Sequence, residues 1–165
     1  MARGRVAEQA DEIDFSWARA NDVETIARRL VGQYHPHLRE AAIRAYFRPK
    51  ARKVHQKVVV ADIRLPSPLI TAIAADLEFA VDYIITVGLD RWATIPDEKR
   101  GPWIDHELCH AAGRDPETEK WTLCAHDIEE FEAVVPRWGT TWRKDLDSFA
   151  KVCVQIPLLG IKDEA

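Results

Sequence analysis

The chain has 165 residues, of which 47% are hydrophobic and 30% charged, with a net charge of -4. That is enough for one core and too little for two ordinary domains, so a single domain over residues 1–165 is expected, and a protein covered in basic surface is excluded. Three cysteines do not make a disulfide framework, no apolar run is long enough to span a membrane, and the first ten residues lack the apolar region of a signal peptide, so a cytoplasmic protein is expected.

Residues 1–12 are polar and are expected to be flexible. Helical spacing over Asp22–Val31 predicts a helix, with Asn21 or Asp22 as its N-cap. Residues 42–48 and the β-branched run 57–64 predict two strands joined by a basic turn. Pro66-Ser67-Pro68 stops the second strand, and residues 69–77 read as a short helix or turn. Residues 79–89 form another apolar strand. Pro96 to Gly113 predicts a helix, with Pro102 near its start and Gly113 as its C′ residue. Residues 122–125 read as a short extended piece or a loop, and 127–136 and 140–153 read as two closing helices separated by Pro136 and Gly139. Most of the six Trp are expected in the core, with Trp103, Trp121 or Trp138 available to wall a cleft.

The most specific feature is His106-Glu107-Leu108-Cys109-His110, an H-E-x-x-H run. On a helix its two His lie one turn apart on one face and can share one metal ion. Glu107 stands beside them as a general base toward water activated by that metal. Such a catalytic zinc usually takes three protein ligands and keeps one position open. His126 is the first candidate for the third, at the entrance of a helix that Asp127 caps, with Glu130 completing a capping box. Glu129 or Glu130 is the second candidate. Cys124 is the third, and its thiolate would bias the site toward a closed, structural metal.

These residues resemble the zincin metallopeptidases. Gly113 falls on the glycine of the longer metzincin motif, but Pro116 stands where that motif needs its third His. The later segment His126-Asp127-Ile128-Glu129-Glu130-Phe131 is similar to that of the small metallopeptidases of phages and prophages, over about residues 80–140, and more distantly to SprT-like (Spartan) proteases. The resemblance implies an α+β fold: a compact zincin-like domain with a small mixed or antiparallel sheet packed on the H-E-x-x-H helix, and further helices. It implies Zn²⁺ held by His106, His110 and His126, Glu107 as the catalytic base, and a protein or peptide substrate cleaved by a zinc-dependent endopeptidase. In that plan an extended substrate adds to a sheet edge, for which residues 79–89 are expected. Arg137, Tyr83, His35 and His37 are candidate oxyanion donors.

Other residues carry less. His35-Pro36-His37 reads as a surface turn. Cys109 is expected to be a small buried residue facing away from the His pair, and Cys153 has no visible partner. Arg44, Arg48, Lys50, Arg52, Lys53 and Lys57 form a basic stretch, read first as a solvated hairpin tip. The alternative is a phosphate-contacting patch, which would make the protein a DNA-associated protease or anti-defence factor. A non-catalytic binding module on the same fold is the third reading, against which an intact Glu107 argues.

Overall fold

The computed structural model describes residues 17–129, 135–141 and 144–155. The chain divides into two compact units, Met1–Cys124 and Ala125–Ala165. The fold class is α+β, as expected. The first unit contains β1 (Ala18–Arg19), α1 (Asn21–Gln33), a 3-10 turn (Pro36–Leu38), β2 (Ile43–Arg48), β3 (Arg52–Val54) and β4 (Lys57–Val59). It continues with β5 (Ala61–Arg64), α2 (Pro68–Asp76), β6 (Tyr83–Gly88), α3 (Leu89–Trp92), α4 (Asp97–Cys109), β7 (Ala111–Arg114) and β8 (Trp121–Leu123).

The main sheet has the order β1-β2-β6-β5. β6 is parallel to β2 and antiparallel to β5. Every residue of β6 is buried, which is why its sequence is a continuous apolar run rather than an alternation. One consequence is a correction. The stretch 79–89 was the expected edge strand, but β6 lies inside the sheet and the edges are β1 and β5.

Helices α1 and α4 pack together, and their apolar residues join Ala45, Tyr83, Ile85 and Val87 of the sheet in one core. On α1 the buried residues Val23, Ala27, Leu30 and Val31 recur at helical spacing, as an amphipathic helix requires. The helix is not capped by Asn21 or Asp22. Ala20 holds the cap position, and the Asp22 carboxylate instead accepts from the Trp92 indole N–H at 2.8 Å. At α2 the expected punctuation holds: the Ser67 hydroxyl accepts from the Ile70 N–H at 3.3 Å, and Pro68 takes the first helical position.

The strand expected over 57–64 is two strands. β3 and β4 form a separate hairpin whose turn residues, His55 and Gln56, both have positive φ (46° and 64°). A two-residue turn of that hand matches the twist of the flanking strands. Val60 is the handover, where its carbonyl accepts from Gly88 N–H at 2.8 Å before β5 joins the main sheet. Behind this junction Arg48 is buried. Its guanidinium bonds the Asp62 carboxylate, the Thr86 hydroxyl and the Val59 carbonyl, tying β2, β6, β4 and β5.

The second unit contains α5 (Val135–Trp138) and α6 (Lys144–Gln155). Of the helix expected over 127–136, residues 127–129 are not helical, and 130–134 lie outside the described residues, Glu130 among them. Asp127 therefore caps no described helix. Pro136, expected as a separator, lies inside α5. Among the described residues no helix is long and apolar enough to cross a membrane.

Candidate metal centre

Helix α4 ends inside the motif. Its last helical residue is Cys109, His110 closes it as the C-cap, and β7 begins at Ala111. Gly113 is therefore not the helix C′ residue. It lies in β7 with φ +90°, at an irregularity of the pairing with β8. Pro102 is also further in than expected, at the sixth helical position, where it removes one N–H from the ladder.

The two His still face each other. The rings of His106 and His110 have centroids 5.2 Å apart and stand nearly perpendicular. Glu107 between them is buried, at 6% exposure, while His106 is exposed and His110 half-buried. His110 Nδ1 lies 2.8 Å from the Cys124 carbonyl oxygen. A carbonyl only accepts, so Nδ1 carries the proton and Nε2 carries the lone pair. This is how a metal-binding imidazole is usually oriented: an outer partner fixes the tautomer and points the other nitrogen outward. The donor set thus fits a divalent metal.

Cys124 makes this contact in both directions, since its N–H also donates to the His110 carbonyl at 2.9 Å. The strand end carrying residues 121–124 is thereby pinned to the motif. The Cys124 thiol donates to the Cys109 carbonyl at 3.1 Å, so it finishes the helix end rather than offering itself as a ligand. His126, two residues on, is the second residue of the second unit. It is exposed, with Nδ1 3.5 Å from the Glu129 carboxylate.

Several side chains that hold this junction were misread from sequence. His35 is buried, not on a surface turn, and its Nε2 lies 2.7 Å from the Asp105 carboxylate one residue before the motif. The neighbouring His37 donates from Nε2 to the Ala111 carbonyl at 2.9 Å and packs against Gly113. The fully buried Tyr83 hydroxyl donates to the Thr122 carbonyl at 2.9 Å and accepts from the Gly113 N–H at 3.3 Å. Burial pushes this phenol's pKa up, against the pull of its backbone partners. These three residues are thus engaged in positioning α4, β7 and β8, which removes them as ready oxyanion donors. Arg137 is an exposed residue of the second unit. An H-x-H pair and a lone strand tyrosine gave no sign of their partners 30 to 74 positions away.

Two further expectations fail. Cys109 is exposed rather than buried. Trp92 is the one Trp buried among the described residues; Trp17, Trp103 and Trp138 are exposed, and Trp121 is half-buried, edge-on to Tyr83 with the Arg114 guanidinium over its ring. Beside the motif a cavity of about 660 Å³ is lined by His106, Asp105, Cys109, Tyr34, Asp97 and Glu98, among others.

At this helix end an α+β unit carries two facing imidazoles and a buried carboxylate. A family model described as "Putative phage metallopeptidase" matches residues 15–150, and the chain belongs to that family. No curated protein and no solved structure matches it. Membership implies a metal ion, for which the motif histidines are candidate ligands. The further likeness to SprT-like proteases has no counterpart in these comparisons.

Proposed function

We propose that the protein is a zinc-dependent endopeptidase in which His106, His110 and His126 hold the metal and Glu107 is the general base. The observation that carries this reading is the His110 imidazole, locked by the Cys124 carbonyl in the tautomer a metal ligand needs, opposite His106. The same lock supports His126 as third ligand. The chain leaves Cys124 already bonded to His110 on both sides, and His126 follows after only one intervening residue.

When bound, a divalent cation supplies Lewis-acid polarisation of the scissile carbonyl and makes water more acidic. Glu107 takes the proton from the attacking water and delivers it to the leaving amine. β5 is the sheet edge that packs beside α4, and no strand pairs with its outer side among the described residues. An extended peptide added there would be held by main-chain hydrogen bonds along the motif helix.

The test is Glu107→Gln beside His126→Ala. Glu107→Gln should keep stoichiometric zinc and lose peptide hydrolysis by about 10²–10⁴-fold. Cleavage at the wild-type rate would end the mechanism. His126→Ala should bind zinc much more weakly, and zinc held at full strength would move the third ligand to Glu129 or Glu130.

A second reading concerns the basic stretch. Arg48 is withdrawn from it by burial, and Arg44 is half-buried, but Lys50, Arg52, Lys53 and Lys57 are exposed on and beside the β3–β4 hairpin. We propose these four as a phosphate contact that brings DNA to the peptidase. Arg52→Glu with Lys53→Glu should abolish a salt-dependent DNA affinity. A wild-type protein that binds no DNA at low salt removes the idea.

A further inference from the structure

We propose that His35, Asp105 and Cys109 form a second binding site for a zinc-class divalent cation, distinct from the motif histidines. One donor atom from each of the three lies within 4.8 Å of the other two. Tetrahedral zinc, with bonds of about 2.0–2.3 Å, needs its donors about 3.5 Å apart, so side-chain adjustments of about 1 Å complete the set. Asp105 and Cys109 stand four apart on α4, the spacing of His106 and His110 shifted by one residue. They therefore form a second ligand pair on the adjacent strip of the same helix. His35 reaches them from 70 positions earlier in the chain, buried beneath its own turn and already bonded to Asp105.

The donor chemistry selects the ion. An imidazole, a carboxylate and a thiolate together suit zinc, cobalt or cadmium and disfavour magnesium and calcium, which take oxygen sets. Access is provided by the cavity beside the motif, which Asp105 and Cys109 line. Asp97 and Glu98 line it too and favour a cation there, against the single positive charge of Arg29. Three protein ligands leave a fourth position for water. The cation would bridge α4 to the segment before the 3-10 turn, replacing the His35–Asp105 hydrogen bond with coordination.

The inference does not depend on the peptidase reading, and cobalt separates the two. In the His106→Ala/His110→Ala double variant, which lacks the motif pair, cobalt alone should bind at one equivalent. Its spectrum should show thiolate-to-cobalt charge-transfer absorption in the near-ultraviolet. Adding Cys109→Ser should abolish that absorption, and His35→Gln should weaken binding by at least about tenfold. Because the double variant removes two residues at a structured junction, the same question is put to the intact motif. There Cys109→Ser, an isosteric change at an exposed position, should lower cobalt stoichiometry from two to one. Absence of thiolate absorption in both backgrounds overturns the proposal. So does absorption that survives Cys109→Ser, which would assign the sulfur to Cys124 or Cys153. If wild type and double variant bind the same single thiolate-ligated equivalent, the second site stands and the motif pair is not a metal site.

Discussion

Gly113 shows how one residue positions the site. Its φ of +90° is closed to ordinary side chains, and a Cβ there would meet the His37 ring at 3.2 Å. That ring is the one holding the Ala111 carbonyl, one residue after the motif. Gly113→Ala must therefore strain the backbone and push His37 aside. The expected cost is about 2 kcal/mol, seen as a fall of about 4–8 °C in Tm. Gly32 offers the opposite case: it lies in α1 with open space where its Cβ would be, so Gly32→Ala should stabilise by up to about 1 kcal/mol. Equal effects at the two positions in thermal unfolding would show that the close approach at Gly113 carries no weight. The motif itself was legible in sequence because i and i+4 on a helix need no knowledge of the rest of the chain. His35, His37 and Tyr83 were not, because each bonds a partner far along the chain and nothing local distinguishes a clamping His from a solvated one.

Elements are joined through Asp62. Its carboxylate on β5 accepts from Arg48 of β2 and Arg64 of β5, with Thr86 of β6 bonded to both guanidiniums. Burial pushes the carboxyl pKa up, but the Arg48 and Thr86 hydrogen bonds and the two guanidinium charges outweigh it and hold it below its ordinary value of 3.8. A depressed folded-state pKa means stability fully present above that ordinary value and lost as pH falls through the lower, folded one. Asp62→Asn should leave Arg48 buried without a counter-ion, costing about 3 kcal/mol at neutral pH in denaturant unfolding. Its stability should also fall less steeply than the wild type's below pH 3.8. Parallel acid profiles would mean another carboxylate governs that limb; Glu24, buried and held low by Arg19 and Ala45 N–H against its desolvation, is the next to test. The same cross-strand coupling explains which elements sequence conveyed. Strand β2, the apolar run of β6 and the Ser67 cap follow from local pattern. The split at Val60, the internal place of β6 and the unused Asn21 cap follow from partners on other elements, such as Trp92 taking Asp22.

At the scale of the whole molecule, the proposed metal would join the motif to the segment that follows β8. The motif sits where α4 gives way to β7, and the path to His126 leaves from the end of β8, whose three residues are half-buried or exposed. Beyond the core contacts of Leu108 and Ala111, that region is held by the hydrogen bonds between His110 and Cys124 and by the Tyr83 hydroxyl below. A cation bound by the folded chain and not by the unfolded one adds RT ln(1 + [L]/Kd), about 2.7 kcal/mol when free metal is a hundredfold above Kd. Chelation of the zinc-loaded wild type should then lower Tm by about 5–10 °C, reversed by adding zinc. His110→Ala should already melt low and respond less to chelator, keeping only what the His35–Asp105–Cys109 site contributes. A wild type whose unfolding ignores chelator would mean that neither cation is coupled to folding, and that the junction is held by Tyr83, His37 and the β7–β8 pairing alone.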